Sequence, residues 1–219
     1  MLKLEKIGKE YKDKWNKLCV LKDLDLYVEQ GEFICIYGKS GCGKSTLLNI
    51  MGLLDDYTFG NYFIDGEDTK DYNMRQISLL RNKKFGFIFQ SFHLISEMSV
   101  LENGCMPLGY AGVGRKEREA RAKELLNDLG VGGAINKYPL QISGGEKQRV
   151  AIARAISNSP SVILADEPTG NLDEKNGLMV MEKLKIINDK GVTVIMVTHD
   201  KSLAKFGSRV LQMADGKFV

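Results

Sequence analysis

One short stretch constrains this chain more than any other. Gly38-Lys39-Ser40-Gly41-Cys42-Gly43-Lys44-Ser45 fits the spacing G-x-x-x-x-G-K-[ST], and Thr46 follows directly. Before it, Phe33-Ile34-Cys35-Ile36-Tyr37 reads as a buried strand; after it, LLNIMGLL reads as a helix. Strand, glycine loop and helix in that order open a parallel α/β sheet. In a tight loop that glycine permits, backbone N–H groups can turn inward onto phosphate oxygens. The helix that follows presents its positive end to the same anion. Lys44 can reach the terminal phosphates, the Ser45 hydroxyl suits a magnesium ion, and Gly41 keeps the backbone bare where phosphate approaches. Residues 38–46 are thus expected to cradle a nucleoside triphosphate with Mg²⁺.

The remaining chain fits such a core. Its 219 residues suit one domain with an inserted lobe. Leu2 and Leu4, then Leu24, Leu26 and Val28, alternate with charged residues as strands do, and Asn61–Asp65 before Gly66 reads as a strand and turn. Phe85–Phe89, Val162–Ala165 and Val192–Val197 are short apolar strands, and Glu174–Asp189 a helix. From about Ser99 to Ser159 the pattern turns helical, with one helix stopping at Gly130 and another running from Gly145. SRVLQMADGKFV reads as a strand, a turn at Asp215-Gly216 and a strand stub. RKEREARAKE, from Arg115, reads as a solvated helix face.

Composition excludes other classes. A net charge of +3 lacks the basic stripe of a nucleic-acid binder, and no nucleic-acid partner is expected. Cys19, Cys35, Cys42 and Cys105 form no CxxC pair, so reduced thiols are expected rather than zinc. Cys42 reads as a small filler in the phosphate loop, with redox sensing the alternative. Neither a signal peptide nor a run of ~18 apolar residues is visible, so a transport role would need a separate pore-forming chain. The basic segment Lys12–Lys17 reads as a solvated loop, with contact to anionic lipid the alternative.

Two further stretches carry chemistry. SVILADEP, from Ser161, is an apolar strand ending in two acids. Asp166 matches the acid that holds Mg²⁺ beside a phosphate loop. Glu167, next along, points to the other side of the strand, where it can face a water in line with the terminal phosphate and act as general base or water positioner. Ile142-Ser143-Gly144-Gly145-Glu146 precedes a helix and reads as an N-cap or as a second anion site.

With ISGGEKQRVAIARAI shortly before SVILADEP, the chain resembles the ATPase subunit of ABC transporters over essentially its whole length. ISGGE is similar to the signature LSGGQ, with Ile142 for Leu and Glu146 for Gln. The amide could touch the nucleotide, whereas Glu146 could instead cap or pair nearby. The resemblance implies an α/β P-loop NTPase fold: a RecA-like mixed sheet with an antiparallel β subdomain (1–90 and 160–219) and an inserted helical subdomain (91–159). It implies ATP and Mg²⁺ as ligands, with Ser45, Gln90 and Asp166 on the metal. Catalytic roles fall to Glu167, His199 as the switch histidine and Gln90 as the Q-loop glutamine. Tyr11 resembles the adenine-stacking aromatic, with Trp15 a competing platform. Ser143, Gly144, Gly145, Glu146 and Asp173 would meet nucleotide across a head-to-tail homodimer.

RNKKFGFIFQSFHLI, VLENGCMPLGYAGV and LADEPTGNLDEKNG resemble the macrolide-exporter and lipoprotein-release branch. This implies an integral-membrane permease partner and a cytoplasmic location, peripheral on the inner face of the membrane. Gly104, where relatives carry an apolar residue, is expected to loosen its helix. A cell-division or peptide-sensing ABC ATPase would share every motif. A DNA-repair type would need coiled coils, and no sustained heptad tract is present.

Overall fold

A computed structural model describes residues 1–12 and 17–219. In chain order the elements are β1 (Leu2–Lys12), β2 (Lys17–Val28), β3 (Phe33–Tyr37), α1 (Lys44–Met51), β4 (Phe59–Ile64), β5 (Glu67–Asp68), α2 (Met74–Lys84), β6 (Phe85–Phe89), α3 (Val100–Tyr110), α4 (Arg115–Asp128), α5 (Gly144–Ile156), β7 (Val162–Asp166), α6 (Glu174–Asp189), β8 (Thr193–Thr198), β9 (Arg209–Ala214) and β10 (Lys217–Phe218). They form two compact units, Met1–Arg81 with Asn188–Val219, and Asn82–Ile187. The expected helical lobe, 91–159, falls within the second unit. Trp15 lies outside the described residues, as does most of the basic segment around it.

The first unit holds two sheet systems. In one, β2-β1-β4-β5 pair antiparallel. Leu2, Leu4, Leu24, Leu26 and Val28 point into its core, and their charged neighbours point out. Tyr62 is fully buried there because its hydroxyl donates to the Met51 carbonyl at 2.7 Å. In the other, β3 lies between β8 and β9 in parallel register. A strand flanked on both sides is uniformly apolar, as Phe33–Ile36 are. Asp215 and Gly216 both have positive φ, 45° and 80°, closing β9 and β10 through a two-residue turn.

In the second unit β6 and β7 pair in parallel. Helix α3 packs on α4 and α5. Asn103 on α3 is fully buried, its carboxamide accepting from the Ile95 N–H and donating to the Ile95, Met98 and Ser99 carbonyls. Gly104 lies inside α3, which runs unbroken to Tyr110. A Cβ at Gly104 would meet Ala122 at 3.5 Å and Leu126 at 3.6 Å, so the glycine sits where α4 packs closely.

Candidate active site

In the first unit, β3 delivers the chain directly into the glycine loop. Gly43, the N-cap of α1, has φ 104°, a conformation other residues rarely adopt. At Gly38 a Cβ would fall 2.2 Å from the Met213 carbonyl oxygen, so the loop passes hard against β9. Lys44 is only 6% exposed. Its Nζ donates to the Gly38 and Lys39 carbonyls at 2.8 and 3.0 Å, so the cation sits inside the curve of the loop. Ser45 and Thr46 follow on the first turn of α1.

His199 follows the end of β8 and lines the same cleft of about 900 Å³ as Gly38, Lys39, Ser40, Gly41 and Cys42. Two expected site elements, 161 residues apart from Gly38 to His199 (199 − 38), therefore share one cavity. Parallel pairing explains this, because the carboxyl ends of β3 and β8 lie side by side, with Tyr37 opposite Thr198. Tyr11, 43% exposed, donates its hydroxyl to Asp55 Oδ2 at 2.6 Å, and the Lys9 ammonium lies 4.7 Å from its ring centroid. The Asp55 bond, with burial, raises the phenol above its ordinary value. Burial opposes charge on Asp55 itself, yet bonds from Lys9 and Tyr11 hold its carboxyl below the usual range.

In the second unit, Asp166 closes β7 in register with Phe89, the last residue of β6. Gln90 and Glu167 thus leave the same end of a parallel pair. Glu167 departs from the expected strand alternation: β7 stops at Asp166, and Glu167 has φ 47°. Its direction is set by a turn, in which the Gly170 N–H donates to the Glu167 carbonyl at 3.0 Å. The Gln90 side chain packs on Gly170, where a Cβ would stand 2.8 Å from Nε2. Asn171 Nδ2 donates to the Gln90 carbonyl at 3.0 Å, joining the two loops.

Ser143 is the N-cap of α5, in a reciprocal capping box with Glu146. Glu146 Oε2 accepts from the Ser143 N–H at 2.8 Å and from its Oγ at 2.7 Å, and Ser143 Oγ accepts from the Glu146 N–H at 3.3 Å. Of the two roles open to Glu146, the capping one is therefore occupied. These bonds from Ser143, backbone first, hold the Glu146 carboxyl below its ordinary value. Asp173 is lowered likewise, by the Asn176 N–H and then the Asn176 carboxamide. Asn176 also stands against Gly145, where a Cβ would fall 2.5 Å from its Oδ1.

Three supporting residues were not singled out by the sequence. Gln148, fully buried on α5, donates to the Pro168 carbonyl at 2.7 Å. Arg154, at the end of α5, donates to the His93 and Phe92 carbonyls at 2.5 and 2.8 Å, and burial pushes its guanidinium down to about 10. Phe92 and His93 both have positive φ, 61° and 46°, so Arg154 clamps a strained loop just past Gln90. Asn176 is the third. In sequence each looks like an ordinary polar helix residue.

An apolar strand feeding a glycine loop, a buried lysine inside that loop and paired acids at another strand's end define a P-loop ATPase of α/β class. The ABC transporter family model matches residues 21–170. The chain is 44% identical over its full length to the macrolide export ATP-binding/permease protein MacB of Mannheimia succiniciproducens, of which it spans 34%. It is 48% identical over 91% of its length to the lipoprotein-releasing system ATP-binding protein LolD of Aquifex aeolicus, covering 89% of that protein. Among solved structures it resembles the ABC transporter cassette MJ0796, with TM-score 0.93 and 43% identity, covering 100% of this chain and 96% of that one. MJ0796 has been solved as a dimer and in a post-hydrolysis state bound to ADP and Pi.

The chain belongs to the ABC transporter family. It is an ATP-binding subunit of that family, in which ATP hydrolysis powers a membrane permease. Among the described residues no helix is long and apolar enough to cross a membrane.

Proposed function

We propose that this subunit binds ATP on residues 38–46 and hydrolyses it in a head-to-tail pair, each nucleotide being closed over by Ser143, Gly144 and Gly145 of the second copy. The observation that carries the reading is the cleft shared by the phosphate loop and His199, with the Lys44 ammonium buried in the loop. An ammonium has three protons; two go to the loop carbonyls, and the third suits a terminal phosphate oxygen. The Tyr11 ring offers a face for adenine, its plane fixed by Asp55 and Lys9. Glu167 accepts a proton from the attacking water, and Gln90 orients that water. His199 donates to the γ-phosphate. Glu146 acts through the cap it makes with Ser143, and Asp173 through the helix start it shares with Asn176.

Ser45, Asp166 and Gln90 would hold a magnesium ion. Their donors are a hydroxyl, a carboxylate and a carboxamide, all oxygen, the set this ion takes. When bound, it supplies positive charge against the phosphate oxygens.

The likeness to MacB and LolD supports a permease of the macrolide-export and lipoprotein-release kind, with peptide, antibiotic or lipoprotein cargo, and a place on the inner face of the membrane through that permease. The phosphate loop is tested by Lys44→Ala, read by titration calorimetry with ATP. The expected loss is at least 100-fold in affinity, about 2.7 kcal/mol or more. Unchanged affinity would contradict the assignment.

A further inference from the structure

Gln148 is fully buried, yet only one end of its carboxamide is used. Nε2 donates to the Pro168 carbonyl at 2.7 Å, while Oε1 has no hydrogen-bond partner among the described residues. A buried acceptor without a partner disfavours glutamine at such a place, and an apolar side chain of similar length would avoid that cost. The bond to Pro168 is what glutamine supplies there and a hydrocarbon cannot.

That carbonyl belongs to the residue just after Glu167. Glu167 is left-handed, with φ 47°, and a non-glycine residue stays so only where its surroundings over-determine it. Three restraints act on it. Pro168 locks its own φ and disfavours the right-handed helical region for the residue before it. The Gly170 N–H holds the Glu167 carbonyl at 3.0 Å. The Gln148 amide holds the next carbonyl along. Glu167 thus has a fixed backbone at the carboxyl end of β7.

We infer that Gln148 is a positioning residue for Glu167, setting the direction from which that carboxylate meets the attacking water. The inference rests on the assignment of Glu167 as the general base. It also gives α5 a second task. Ser143, which caps the helix, and Gln148 lie about 7.5 Å apart along one rigid axis. A shift of the capped end, such as ATP contact by a second copy would produce, is carried by the helix to the peptide beside Glu167.

The test is steady-state ATP hydrolysis by the purified protein with Mg²⁺, comparing wild type, Gln148→Met, Glu167→Gln and the double variant, with ATP affinity measured separately. Methionine keeps the length and loses the N–H. We expect kcat to fall about 10- to 100-fold, as misplacement of a catalytic group by an ångström does, with ATP affinity within about twofold. In the Glu167→Gln background the same substitution should leave the residual rate unchanged. Full kcat in Gln148→Met, an equal loss in affinity, or an undiminished further loss in the double variant would overturn the positioning role. A Glu167→Gln protein that turns over normally would overturn the base assignment itself, and with it this inference. If Gln148→Met fails to fold, Pro168→Ala keeps the carbonyl and relaxes the backbone. It should lower kcat in the same direction by a smaller factor, and an unchanged kcat would count against the proposal.

Discussion

The phosphate loop and the loops around Glu167 and Gln90 differ in where their side-chain ties come from. In the first, a side chain holds its own loop, Lys44 bonding carbonyls five and six residues back, while backbone bonds tie the loop to distant segments, from the Gly38 N–H to the Thr198 carbonyl and from the Gly216 N–H to the Cys42 carbonyl. In the second, the ties are long: Gln148 reaches Pro168 across 20 residues, Arg154 reaches Phe92 and His93 across 62 and 61, and Asn171 reaches Gln90 across 81. Loops held by distant side chains hold their shape only while α5 and β7 are packed. The side chain that shapes the phosphate loop is therefore the loop's own, and those that shape the acid and glutamine loops depend on the packing of α5.

Breaking a long tie should show this most strongly. Arg154→Ala removes a half-buried cation and leaves two carbonyls without it beside a left-handed loop. It should destabilise the protein by about 2–4 kcal/mol in chemical denaturation, because bonds to charged groups are worth ~1.5–3 kcal/mol each and orphaned acceptors add to the loss. A loss below about 1 kcal/mol would mean that the Gln90 loop does not depend on α5.

Smaller effects sharpen the comparison at the start of α5. Ser143→Ala deletes the cap and should cost about 1 kcal/mol. The box also gives a pH dependence whose sign is fixed. The Glu146 carboxyl is held below its ordinary value of 4.5 in the folded protein, so its contribution is complete above that value and is lost as pH falls through the lower, folded one. Glu146→Gln keeps an acceptor for the Ser143 N–H and should flatten the acid side of the stability profile while leaving neutral stability nearly unchanged. An unaltered acid slope would show that Glu146 does not titrate through this cap.

The same contrast explains what could be read from the amino-acid sequence. β3, β6 and α6 have the boundaries their apolar patterns imply, because each run ends at a charge, a glycine or a new period. The phosphate loop is legible because its whole mechanism lies within nine residues. The direction of Glu167 was not, since strand alternation assumes that the strand continues, whereas the turn to Gly170 ends it at Asp166. Gln148, Arg154 and Asn176 were not legible either: their partners are loop carbonyls and a neighbouring turn that only the folded chain brings close.

The proposed mechanism requires two copies of the chain to complete each other's sites around ATP, and the most direct measurement is the oligomeric state of Glu167→Gln by sedimentation. With saturating ATP and Mg²⁺ the variant should sediment as a dimer, and with ADP as a monomer, because the base is gone and the bridging γ-phosphate stays. A variant that remains monomeric with ATP would contradict the shared site.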